Sequence, residues 1–156
     1  MGGRNRGRIQ AAACRVRRIR RGGTTAPTID TEVVIEGIRR GEPFPWSSDK
    51  KRRETYVALH TLMEVRRGLR GGGSQQARIR FLKEVGIHAR VLPFERQAAL
   101  FAGEMAAVLD ETGQRIPVSD LCIASSSLIW GDGEVVTHDF GHFAKLRRFG
   151  LRVRMA

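Results

Sequence analysis

The sequence predicts an α/β fold with a short central parallel β-sheet flanked by helices on both faces. Two observations lead there. Short apolar runs near residues 28–29, 56–59, 91–94 and 135–136 alternate with longer stretches whose apolar side chains recur at helical spacing. The runs lack a polar alternate, which is the pattern of strands covered on both sides. A chain of 156 residues with 41% hydrophobic side chains forms one domain with material for a real core.

The elements follow in order from Pro27. Thr28 and Ile29 form a strand ending at Asp30, and Val33, Val34, Ile35 and Ile38 begin an apolar helix that stops near Gly41. Residues 42–54 are a polar connection with a short helix capped by Ser47 and Ser48, and their basic run at 50–53 reads as a solvated helix face. A second strand runs through residues 56–59. A helix opening near Thr61 puts Glu64 on its first turn, and glycines at 71–73 end it. Residues 75–88 form an amphipathic helix with Ile79, Phe81, Leu82 and Val85 inward, followed by a short strand at 91–94. The next helix carries Ala98, Ala99, Phe101, Ala102, Met105, Ala106 and Leu109 as a core stripe, its alanines allowing close packing.

Pro117 and Ser119 open a further helix with Asp120 in its first turn. Leu121, Ala124, Ser125 and Leu128 share one face, and Cys122, Ile123 and Ile129 widen it until most of the helix must be covered. Gly131 and Gly133 end it, Val135 and Val136 form a buried strand, and Thr137, His138 and Asp139 stand at the strand's exit. Residues 151–154 alternate as an edge strand.

The formal net charge is +12, and eight of the 28 basic residues fall in residues 1–26, which carry no acid. That segment has little to bury and reads as a disordered basic tail, either a solvated extension or the product of a start placed too early, rather than an RNA-binding arm. Residues 27–156 form the domain. No run approaches the roughly 20 apolar residues of a bilayer span, and no apolar signal region is present, so the cytoplasm is the expected location. Cys14 and Cys122 lie in the tail and in a core helix, and both read as free thiols.

Several acids stand where strands end or helices begin, among them Asp30, Glu64, Asp120 and Asp139. In a parallel sheet those positions gather at one edge, so acids far apart in sequence can converge. At ~5 Å and an effective dielectric constant of ~20, each uncompensated pair repels by roughly 3 kcal/mol, which calls for a cation. Hard oxygen ligands without nearby cysteine or paired histidines favour Mg²⁺ or Mn²⁺ over zinc.

The residues also resemble a known family. Gly113, Ile116, Asp120, Ile123-Ala124, then Thr137-x-Asp139 and Phe143 resemble the C-terminal half of a PIN domain, the metal-dependent nuclease fold of VapC-type toxins. Asp30-Thr31-Glu32 is similar to that family's opening Asp-Thr-Asn, with Glu32 adding charge and removing an amide donor. Glu64-Val65-Arg66-Arg67-Gly68 keeps the spacing of its Glu-Leu-x-x-Gly pattern. The resemblance spans residues 27–156 and implies a PIN-like fold and an Mg²⁺- or Mn²⁺-dependent endoribonuclease. It implies Asp30, Glu64, Asp120 and Asp139 as catalytic residues and metal ligands, with Thr31 and Thr137 supporting them from behind. Arg66, Arg67, Lys145 and Arg147 become candidate contacts for the RNA backbone, and His138 and His142 read as RNA contacts or packing rather than ligands. The implied partners are RNA, a VapB-like antitoxin whose C-terminal segment reaches the active site, and a second copy in a homodimer. The alternatives are a PIN-fold module that binds RNA or protein without cutting, to which Glu32 points, and a small RNA-binding protein resting on its arginine tail.

Overall fold

A computed structural model of the chain describes residues 26–41, 55–68, 70 and 75–156. The arginine-rich tail, the expected short helix and basic run between residues 42 and 54, and the glycines at 71–73 lie outside the described residues. The elements are β1 (Thr28–Ile29), α1 (Thr31–Arg40), β2 (Thr55–Ala58), α2 (Leu59–Gly68), α3 (Gln75–His88) and β3 (Ala89–Leu92). They continue as α4 (Arg96–Glu111), α5 (Val118–Trp130), β4 (Glu134–Thr137), α6 (Phe140–Ala144), a 3₁₀ turn (Lys145–Phe149) and β5 (Arg152–Met155). The strands form one sheet in the order β3-β2-β1-β4-β5, every neighbouring pair parallel. The expected α/β class and parallel sheet are therefore the fold observed.

Neighbouring side chains on a strand face opposite sides, and here both sides are core. Ala58 and Val135 point into a layer built from α4, α5, α6 and the 3₁₀ turn, with Met105, Leu109, Ile123, Leu128, Phe143 and Leu146. Val57 and Val136 point the other way, with Val33, Val34, Val65, Phe81 and Val85 from α1, α2 and α3. A buried polar chain fixes α5 beneath the central strands: the Thr28 hydroxyl donates to Ser127 Oγ at 2.9 Å, and Ser127 Oγ donates to the Glu134 carbonyl at 3.2 Å. At Gly41, φ of 66° lets the backbone N–H turn back onto the Gly37 and Ile38 carbonyls and close α1 where the sequence predicts.

Three local expectations are corrected. The third strand is Ala89–Leu92, not residues 91–94, because Val57 pairs with Val91 and Pro93, which has no N–H to donate, falls in the exit loop. Helix α2 begins directly at Leu59 without a loop, which moves Glu64 from the first turn to the second. On α3 only Phe81 and Val85 are buried, whereas Ile79 and Leu82 are each 59% exposed, since the helix covers the sheet's β3 edge with a narrow stripe. Among the described residues no helix is long and apolar enough to cross a membrane.

Candidate metal centre

The chain runs outward from β1 to β2 and β3, then returns to β4 on the other side of β1. Such a reversal opens a crevice at the carboxyl ends of the two central strands, where open α/β sheets bind their ligands. Asp30 follows β1 at this point and Asp139 follows β4.

Asp30 is 4% exposed. It caps α1, with Oδ1 accepting from the Thr31 N–H at 2.7 Å, and Oδ2 accepts from the Thr137 hydroxyl at 2.7 Å. Burial pushes its carboxyl up to about 6; the Thr137 and Thr31 hydrogen bonds oppose the rise, and the charges of Asp120 and Glu32 add to it. Thr31 points its own hydroxyl at Glu64, donating to Oε2 at 2.6 Å. The two threonines expected to support the acids thus hydrogen-bond Asp30 and Glu64.

Thr137 also accepts from the Asp139 N–H at 2.9 Å. Asp139 caps the short helix α6, its Oδ1 accepting from the His142 N–H at 3.2 Å. Asp120 projects from the first turn of α5, where the helix N-terminus favours negative charge. Burial nonetheless raises its carboxyl; His142 pulls in the opposite direction, while Asp139 and Glu64 push with the burial. Asp120 thus exchanges electrostatic influence with Asp30, Glu64 and Asp139, while Asp30 and Glu64 stand outside the tight group of ligand atoms that Asp120 and Asp139 form with His142.

His142, which the sequence reads as an RNA contact or packing residue rather than a ligand, stands beside two of the acids. Its Nδ1 lies 2.7 Å from Asp139 Oδ2 and 3.1 Å from Asp120 Oδ2. Ionised carboxylates only accept, so Nδ1 carries the hydrogen in this arrangement. Asp120, Asp139 and His142 offer ligand atoms all within 4.8 Å of one another, a group able to hold a metal ion. His138 goes elsewhere, its Nε2 lying 2.7 Å from Glu36 Oε2 on α1. The usable signal for His142 was its position three residues after a helix-capping aspartate, which returns the ring to the cap. Of the expected cationic contacts, Arg147 lies over the Phe140 ring at 4.7 Å and Lys145 Nζ donates to the Arg115 carbonyl at 3.4 Å. Arg66 and Arg67 are exposed in the last turn of α2.

The donor set suits a hard or borderline divalent cation. Carboxylate oxygens predominate, one imidazole joins them, and the thiol of Cys122 is buried and pushed up by that burial, which disfavours a thiolate ligand.

Neither a protein-family model nor a curated protein matches the sequence. Solved structures do match the fold. A chain of VapBC2 from Rickettsia felis, bound to a DNA fragment from the promoter, superposes with a TM-score of 0.71 at 16% identity, covering 85% of this chain and 99% of that one. VapBC-1 from nontypeable Haemophilus influenzae gives 0.68 at 21% identity, covering 84% and 98%. DNA-bound VapBC from Salmonella typhimurium gives 0.61 at 26% identity, covering 85% and 98%. Nearly the whole of each matched chain is reproduced, so the likeness to VapC-type PIN domains read from the sequence holds for the fold.

Proposed function

We propose that the chain is an Mg²⁺- or Mn²⁺-dependent endoribonuclease, the toxin of a VapBC-type pair, restrained by a VapB-like antitoxin and acting in the cytoplasm as a homodimer. What supports this reading is the grouping of Asp120, Asp139 and His142 ligand atoms within 4.8 Å of one another, with Asp30 and Glu64 close enough for their charges to act on Asp120 or be acted on by it, and with threonine hydroxyls on both of these. The solved structures that share the fold are toxin–antitoxin complexes, which supports an antitoxin partner.

Asp30, Asp120 and Asp139 would hold the cation, and Glu64 would reach it directly or through water. When bound, the cation supplies a Lewis acid that lowers the pKa of a water and offsets the charge gathering on the phosphate. The protein supplies orientation. Thr137 fixes one oxygen of Asp30 and Thr31 one oxygen of Glu64, so these carboxylates need not reorganise when substrate arrives. Arg66 and Arg67 hold the RNA backbone as it enters. Residues 27–156 form the catalytic unit, and residues 1–26 add only sequence-independent affinity for phosphate.

Asp120→Asn tests the reading, since it removes a ligand charge and almost no volume. The variant is expected to fold and to lose metal-dependent RNA cleavage. Cleavage at the wild-type rate would remove Asp120 from the site, and an inactive wild-type chain that still binds RNA would favour a non-catalytic module.

A further inference from the structure

Building on the metal-centre reading, we propose that His142 is itself a ligand through Nδ1 and that it makes the centre prefer Mn²⁺ to Mg²⁺. Two features separate this imidazole from an ordinary rim histidine. His138 meets a single carboxylate, Glu36, whereas His142 Nδ1 meets two carboxylates delivered by separate elements, Asp120 on α5 and Asp139 at the cap of α6. Moreover, Asp139 has already committed Oδ1 to the His142 N–H, so the oxygen turned toward the imidazole is the one left for another partner.

The spacings fit coordination. Neighbouring donors around an octahedral cation with bonds of roughly 2.1 Å lie about 3 Å apart, and opposite donors about 4.2 Å apart. Nδ1 stands 2.7 and 3.1 Å from the two oxygens, and the three ligand atoms are mutually within 4.8 Å. The ring is held in place by its neighbour Phe143, fully buried in the core, while its own side chain remains 37% exposed and open to an incoming ion. Ligation needs the Nδ1 lone pair, so the hydrogen there moves to Nε2 or to solvent as the cation binds. An imidazole suits a transition metal and offers little to Mg²⁺, which demands hard oxygen donors; His142 therefore discriminates within the pair of ions that the acids admit.

The full-length chain loaded with Mn²⁺ alone tests this by pulsed electron paramagnetic resonance, which reads nitrogen directly bound to the ion. A nitrogen coupling is expected in the wild type, retained in His138→Gln and absent in His142→Gln. In His142→Gln, Mn²⁺ affinity should fall on the order of tenfold while Mg²⁺ affinity changes little. Should that variant fail to fold, ¹⁵N-histidine incorporated into the wild type and into His138→Gln should change the coupling to that of ¹⁵N. Bound Mn²⁺ without nitrogen coupling, or a coupling that survives in His142→Gln, would overturn the ligand while leaving a carboxylate centre in place. No Mn²⁺ binding at all would overturn both the ligand and the proposed nuclease site.

Discussion

The Thr137 hydroxyl donates to Asp30 Oδ2 at 2.7 Å, tying the end of β4 to the end of β1 across 107 residues of chain. The same oxygen accepts from the Asp139 N–H, so one fully buried side chain sets the positions of two acids. A buried carboxylate with a donated hydroxyl stays available as a ligand, whereas one without it is driven further toward protonation.

Thr137→Val keeps the shape and removes the hydroxyl. Leaving a buried acceptor without its donor costs about 1–3 kcal/mol, so the unfolding midpoint in urea should fall and metal affinity should weaken with it. Thr137→Ser should recover most of both. An unchanged midpoint in Thr137→Val would mean that the bond contributes nothing.

The pH dependence follows from Asp30. Its folded value of about 6 lies above the ordinary 3.8, so the folded state binds the proton more tightly and stability falls as pH rises between those values. The difference corresponds to roughly 3 kcal/mol once both states are ionised. The raised Asp120 carboxyl acts in the same direction. In EDTA, wild type should therefore melt at a higher temperature near pH 4.5 than near pH 7.5, and Asp30→Asn should flatten much of that slope. A wild type that gains stability over this interval would contradict the assignment.

A chain lacking residues 1–25 should fold and cleave. Ala26 is buried and its N–H donates to the Asp132 carboxylate, so a chain that begins at this residue keeps that anchor. Loss of basic tail residues should make RNA binding less dependent on salt without removing it. Failure of the shortened chain to fold would show the tail to be part of the structure.

Much of this fold is legible in the residues. Gly131 ends α5 and Pro117 stands just before its first residue, because helix starts and stops are local physics, although no side chain caps the N-terminus. The approach of Asp30 and Asp139 is legible for a topological reason, since the parallel strands β1 and β4 deliver their exits to one edge, where Thr137 bonds both. What the sequence hides depends on neighbours. Ile79 and Leu82 fit a helical stripe as well as Phe81 and Val85 do, and only the width of sheet beneath α3 decides which are covered. The loop-free junction of Ala58 and Leu59, which moves Glu64 by a turn, has no local marker. His142 is similar: the three-residue spacing to Asp139 is visible, but the second carboxylate arrives from α5 through tertiary packing.

The metal centre is tested most directly by melting wild type and Asp120→Asn side by side at pH 7.5, first in EDTA and then across an Mn²⁺ titration at matched ionic strength. Burial disfavours the Asp120 charge more than His142 favours it, so the metal-free variant should be at least as stable as wild type. A cation that binds only the folded state should raise wild-type stability by about 2.7 kcal/mol at a hundredfold excess over its dissociation constant, and Asp120→Asn should lose most of that gain. The substitution thus has opposite consequences with and without the ion. Equal Mn²⁺ responses in the two proteins, or none in either, would contradict a metal centre at these carboxylates.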